Sequence, residues 1–263
     1  MALVIVRHAE RVDYVERRRW LDAAPRPWDT PITRHGHSQA EAAGAAAARL
    51  VEDMGLPPVR RMFTSPMLRC VETSTSFRRG FGASDDLPIH AENSLIECMT
   101  EDWYRSWAIE GLSDATWGGP KGYEVGTVPV STLKLRPEAH VPSGELLLSS
   151  QELEELGCDL SHSTKFFPAF TVASPEDHSY LGARLGDFAR EALQRFPEET
   201  IVLVSHGGPS AAIVEYLTGK HCHRYGFTGL SVLEQDGDNF LAHVKASTAH
   251  LGAGEDLGFA TAR

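Results

Sequence analysis

Short apolar runs rich in branched residues recur three times along the chain, each followed by a polar cluster and then by a helical pattern. The first covers Leu3 to Val6 and ends in Arg7-His8, the second covers Val59 to Thr64 and ends in Ser65-Pro66, and the third covers Ile201 to Ser205 and ends in His206-Gly207-Gly208. Runs of this kind, separated by helical segments, predict strands of a parallel sheet joined by crossover helices. Between the first two, Thr33 is placed to cap a helix whose Ala40, Ala43, Ala47, Leu50, Val51 and Met54 share a face until Gly55 stops it. Ser65 suits an N-cap and Pro66 the first position of a second helix. A third helix fits Ser179 to Phe196, with Leu181, Leu185, Phe188, Ala189, Ala192 and Leu193 as its apolar stripe and Pro197 beyond it. Residues from Leu230 to His250 read as two strands around a turn at Asp236-Gly237-Asp238-Asn239.

The stretch from Thr100 to Pro175 breaks the pattern. It is rich in Gly, Pro and Trp, has no sustained period, and is too long for a structureless loop inside a compact unit. It is expected to be an inserted cap with some structure of its own, covering a site. The whole of residues 1–263 then reads as a single α/β domain: three layers, α/β/α, around a mostly parallel central sheet.

Composition narrows the partners. A formal charge of −11 over 263 residues repels nucleic acid and anionic lipid, so neither is expected as a ligand. No apolar run of roughly 18 residues is present to span a bilayer. The opening Met1-Ala2-Leu3-Val4-Ile5-Val6 lacks the basic start and cleavage site of a secretory signal. Cys70, Cys98, Cys158 and Cys222 lie far apart without metal-type spacing. That points to a reducing, cytoplasmic setting with no metal and no cofactor.

In open parallel sheets, ligands sit beyond the carboxyl ends of the strands, where polar residues following different strands meet in one crevice. Here the rule collects Arg7, His8, Arg11, Arg69 and His206. Guanidinium forks donate paired hydrogen bonds to phosphate oxygens and keep their charge at working pH. Helix N-termini after Ser65 and after Gly208 add backbone N–H groups for an anion.

Arg7-His8-Ala9-Glu10-Arg11 resembles the signature of the histidine phosphatase superfamily, and Ser65-Pro66-Met67-Leu68-Arg69-Cys70-Val71-Glu72-Thr73 resembles its second block. Asp29-Thr30-Pro31-Ile32-Thr33 with Gly36 and Gln39-Ala40, then Leu95-Ile96-Glu97, then Ser205-His206-Gly207-Gly208 follow in the family's order. The resemblance implies a phosphoglycerate mutase-like fold. It makes His8 the nucleophile and His206 its partner on the transferred oxygens, with Arg7, Arg11, Arg69 and Gly207 as the phosphate cradle. Glu97 becomes the general acid, with Glu101 and Asp102 as substitutes. Arg11-Val12-Asp13 after the nucleophile is similar to the branch that holds ecdysteroid-phosphate phosphatases and the phosphatase domains of T-cell ubiquitin ligand proteins. That branch implies aryl, steroid, tyrosine-type or small-molecule phosphate monoesters as substrates, and a homodimer is compatible with it. The chain departs from the family pattern at Ala9, where Gly is usual, and at Cys98, where an aromatic residue is common.

Two other functions fit the same residues: phosphoglycerate mutase-type phosphoryl transfer, and a catalytically weak phosphate-binding module for which Ala9 is the best support. Several features have plainer readings. Arg34-His35-Gly36 also spells Arg-His-Gly but follows no strand, so it is read as the start of a helix. His221-Cys222-His223 lacks zinc spacing and is read as a loop. Trp103, Trp107 and Trp117 read as a local core that could line a substrate entrance, and Cys70 as packing. Glu72 and Thr73 either brace Arg69 or face another element.

Overall fold

Strand β1 (Ala2–Arg7) is buried along its whole length, and its side chains alternate between two cores. Leu3 and Ile5 point to one face with Phe63, Ile201, Leu203 and Leu233. Val4 and Val6 point to the other with Met62, Val202, Val204 and Val232. This period of two places one sheet between two apolar layers. A computed structural model describes residues 1–16, 18–24, 29–83, 86–97, 148–163, 178–222, 225–255 and 258.

The other strands are β2 (Val59–Thr64), β3 (Ile89–Ala91), β4 (Thr200–Ser205), β5 (Leu230–Asp236) and β6 (Asn239–Ser247). They form one sheet in the order β3-β2-β4-β1-β5-β6. β3, β2, β4 and β1 run parallel, while β5 and β6 add an antiparallel edge. The two strands expected near the C-terminus are therefore β5 and β6.

Helices α3 (Arg34–Asp53) and α4 (Leu68–Gly80) cover the Val4 face, and α6 (His178–Arg195) and α7 (Gly207–Thr218) cover the Leu3 face. Two short helices, α1 (Val12–Glu16) and α2 (Arg18–Ala23), follow β1 and were not anticipated. Thr33 caps α3 as expected, its hydroxyl accepting the Gly36 amide at 2.9 Å. Gly55 follows the helix at φ +60°, a conformation that suits glycine. α3 and α4 approach so closely that a Cβ on Gly44 would lie 2.1 Å from the Phe77 carbonyl oxygen, and one on Gly80 would lie 1.9 Å from that of Glu41.

One expectation fails at α4. The helix begins at Leu68 with Met67 in the cap position, so Ser65 is not its N-cap and Pro66 is not its first residue. The Leu68 amide donates instead to Asp29 Oδ1 at 2.7 Å, and the Ser65 hydroxyl is engaged elsewhere. The cap comes from 39 residues away, where no local motif could reveal it.

Of the expected 100–175 insertion, residues 148–163 are described, together with helix α5 (Ser150–Glu155) inside them. Leu148, Leu153 and Cys158 join the Val4-side core. Asp159 bridges to His90 on β3, its amide donating to the Ile89 carbonyl at 2.8 Å. This stretch closes an edge of the sheet. Cys98, Glu101, Asp102, Trp103, Trp107 and Trp117 lie outside the described residues. No described helix is long and apolar enough to cross a membrane.

Candidate active site

β1 and β4 are neighbours in register, Arg7 opposite Ser205, so the next residue on each strand leaves the sheet at the same place. Those residues are His8 and His206, both fully buried, with ring centroids 5.4 Å apart in an edge-to-face arrangement. The His8 amide donates to the Ser205 carbonyl at 2.8 Å, which ties the two strand ends together. β2 lies on the other side of β4, and its exit brings Ser65 Oγ to 2.9 Å from His206 Nε2. α4 then delivers Arg69, also fully buried.

The protonation of His8 follows from its contacts. Nδ1 lies 2.8 Å from the Ala9 carbonyl oxygen. A carbonyl can only accept, so Nδ1 carries the proton and the lone pair resides on Nε2. Nε2 is buried and has no hydrogen-bond partner among the described residues. Burial, and then the charges of Arg69 and Arg7, hold the His8 pKa well below its usual value. His206 is depressed in the same way by burial, Arg69 and Arg11. Both rings are neutral at pH 7.

The arginines are individually braced. Arg11 lays its fork on Asp13, Nε to Oδ1 at 2.8 Å and Nη2 to Oδ2 at 2.5 Å, with the Thr30 hydroxyl donating to Oδ1 at 3.1 Å. Arg7 donates to the Tyr225 carbonyl at 2.7 Å and lies 4.4 Å above the Phe227 ring. Thr73 donates to the Arg69 carbonyl at 2.6 Å and accepts the Ala9 amide at 3.0 Å, which fastens the turn after His8 to α4. Burial brings the Arg7 pKa down to about 10, and burial followed by Arg11 lowers that of Arg69. Such crowding of cations in a dry space is relieved by an anion.

Glu97 is buried on the turn after Asn93–Leu95, its Oε2 3.8 Å from His206 Nδ1. At the start of α7, a Cβ on Gly207 would stand 3.4 Å from Arg7 Nε and one on Gly208 4.0 Å from Glu97 Oε1. All the expected residues, His8, His206, Arg7, Arg11, Arg69, Gly207 and Glu97, therefore belong to one neighbourhood.

The model of the histidine phosphatase superfamily, branch 1, matches residues 3–118 and 143–246. The chain belongs to the histidine phosphatase superfamily. Among its relatives, the human ubiquitin-associated and SH3 domain-containing protein B is 28% identical over 173 residues, 56% of this chain and 24% of that protein. The ecdysteroid-phosphate phosphatase of Bombyx mori is 32% identical over 85 residues, 32% of this chain and 12% of that protein. The chain thus matches a quarter or less of the length of these curated relatives. The crystal structure of ecdysone phosphate phosphatase from the same species, in complex with tungstate, superposes with a TM-score of 0.59 at 17% identity, covering 93% of this chain and 92% of that one.

Against the superfamily pattern, Ala9 raises the question of crowding. Its side chain is buried in a small apolar cluster with Ile32 and Ala40, so the methyl group fills space on the α3 side. Two other histidines pair with carboxylates away from this histidine phosphatase site. His35 is half exposed and pairs with Glu255 at 2.6 Å, and His221 is exposed and pairs with Glu215 at 2.6 Å. Glu72 accepts the Ile32 amide at 2.7 Å and so braces the entry to α3. The Cys70 thiol, 3.6 Å from His206 Nε2, is pushed up to about 12 by burial and is no thiolate.

The sequence reading missed the supporting shell: Asp13 beneath Arg11, Asp29 at the start of α4, Ser65 against His206, and Arg184. An acid two residues after an arginine was a signal for Asp13. The others meet their partners only through the tertiary fold.

Proposed function

We propose that this chain is a metal-independent phosphomonoesterase that works through a phosphohistidine on His8 Nε2. One observation carries the reading: the Ala9 carbonyl fixes the His8 tautomer, and leaves a neutral, buried Nε2 lone pair without a partner among the described residues, beside three arginines. A neutral imidazole attacks; an imidazolium cannot.

Nε2 forms the N–P bond as the ester P–O bond breaks, and the Glu97 carboxyl gives its proton to the departing oxygen. Arg7, Arg11, Arg69 and the Gly207 amide hold the equatorial oxygens, where charge is redistributed in the transition state, and His206 stands beside them. The alcohol leaves. Water then gives a proton to the Glu97 carboxylate while its oxygen attacks phosphorus, the N–P bond breaks, and neutral His8 and inorganic phosphate result. The name of the Bombyx mori relative says that it acts on ecdysteroid phosphate. For this chain the proposed class is broader, covering aryl, steroid, tyrosine-type and small-molecule phosphate monoesters.

The test is phosphate release from p-nitrophenyl phosphate in the presence of EDTA. The expected result is turnover that EDTA leaves unchanged, together with a trapped phosphoenzyme that is labile to acid and stable to alkali. His8→Ala should abolish both. Most of the activity surviving in His8→Ala, or disappearing with EDTA, refutes the proposal.

A further inference from the structure

α6 presents a charged residue to the core. Arg184 lies on the same face as Leu181, Leu185 and Phe188 and is buried with them. Its guanidinium donates from Nη1 to the Ser94 carbonyl at 2.6 Å, and from both Nη1 and Nη2 to the Ile96 carbonyl at 3.2 Å. The carbonyl between them, that of Leu95, accepts from Ser205 Oγ at 2.6 Å. The Ser94 amide donates to the Glu92 carboxylate at 2.6 Å.

Three consecutive carbonyls immediately before Glu97 are thus gripped from other elements, two by Arg184 and one by the residue that precedes His206. Burying a guanidinium is unfavourable relative to a hydrophobic side chain of similar volume, so packing alone would favour leucine or methionine here. What the arginine supplies is a rigid fork able to hold two carbonyls at once. The Ile96 carbonyl belongs to the peptide unit that carries the Glu97 nitrogen.

We propose that Arg184 is a positioning residue that locks the peptide bearing Glu97, so that the carboxyl stands at His206 and over the start of α7. The proposal rests on reading Glu97 as the proton donor. A shift of about 1 Å in a reacting group can cost roughly 100-fold in rate, and general acid catalysis is worth about 100- to 10,000-fold. The loss should therefore depend on how much the leaving group needs a proton.

Arg184→Met, Arg184→Lys and Glu97→Gln would be compared on p-nitrophenyl phosphate and on glycerol 2-phosphate, an alkyl ester. Arg184→Met is expected to lower kcat on the alkyl ester roughly 30-fold or more and on the aryl ester about threefold or less. KM and inhibition by vanadate should stay within about twofold, because the phosphate cradle is untouched. Arg184→Lys, which keeps the charge and loses the fork, should fall between wild type and Arg184→Met. In a Glu97→Gln background, adding Arg184→Met should change little.

Equal losses on both esters in Glu97→Gln would overturn the acid assignment and the positioning role with it. A selective loss in Glu97→Gln beside equal losses in Arg184→Met would leave Glu97 in place and make Arg184 merely structural, as would multiplicative effects in the double variant. Should Arg184→Met fail to fold, Arg184→Lys decides: vanadate binding intact with a wild-type ratio of aryl to alkyl turnover overturns the proposal.

Discussion

Asp13→Asn offers a test of how the arginine cluster is held, with a control inside the same molecule. Asp13 is fully buried, and both its oxygens accept from Arg11, which is 2% exposed. The amide keeps the shape but replaces one acceptor by a donor facing a guanidinium N–H, and leaves the Arg11 charge uncompensated beside Arg7 and Arg69. Breaking a buried pair in this way costs about 3–5 kcal/mol. For a chain of this size each kcal/mol moves the melting temperature by about 2–4 °C, so the expected drop is about 6–20 °C. The control is Glu41→Gln, which removes the partner of Arg79 from a pair 54% and 47% exposed. Solvent screens that pair, and its loss should cost about 1 kcal/mol or less. Urea unfolding followed by circular dichroism, with unchanged m-values, measures both. If Asp13→Asn costs no more than Glu41→Gln, the idea that Asp13 neutralises a desolvated Arg11 is wrong.

Three further outcomes follow from the same geometry. His8 and His206 have folded-state pKa values well below their unfolded ones. The unfolded chain therefore takes up protons that the native state refuses once the pH drops beneath about 6.5, and stability should decline toward acid by up to about 2.7 kcal/mol per pH unit from these two rings. A flat urea midpoint between pH 7 and 5 would contradict this. Ala9→Gly should cost about 1 kcal/mol through the void left beside Ile32 and Ala40 and the added chain entropy, and should not raise kcat by more than about twofold. A large gain in turnover would mean that the methyl group does crowd the phosphate. Gly44→Ala drives a Cβ into the backbone of Phe77 in α4 and of Phe81 just past its end, and should cost about 1–3 kcal/mol or more in denaturant unfolding. An unchanged midpoint would mean that α3 and α4 slide apart freely.

What could be read from residues alone was whatever depends on local order. β1, β2 and β4 announce themselves as apolar runs with polar ends, and the rule that ligands gather beyond strand ends was enough to bring together His8, Arg69 and His206. β3 escaped because Ile89–Ala91 is three residues long, too short to show a period. α1 and α2 escaped because Val12–Glu16 and Arg18–Ala23 are five and six residues long, too short for a helical period to show. Ser65 misled in a more instructive way. A serine before a proline and a helix has the local chemistry of a cap, yet its hydroxyl is taken by His206 and the helix end by Asp29, two competitors visible only in three dimensions. Arg184 was hidden by its setting, since a basic residue in an apolar stripe reads as an interruption until its carbonyl partners are known.

The distance between the two imidazoles has a simple origin. Each follows the last rung of a parallel ladder, so their separation is set by the spacing of neighbouring strands, close to 4.8 Å in any sheet. A dimension fixed by backbone hydrogen bonding cannot drift when side chains elsewhere are exchanged. Substitutions on the helices that flank the sheet can therefore remodel what surrounds the two rings while the pair keeps its gauge.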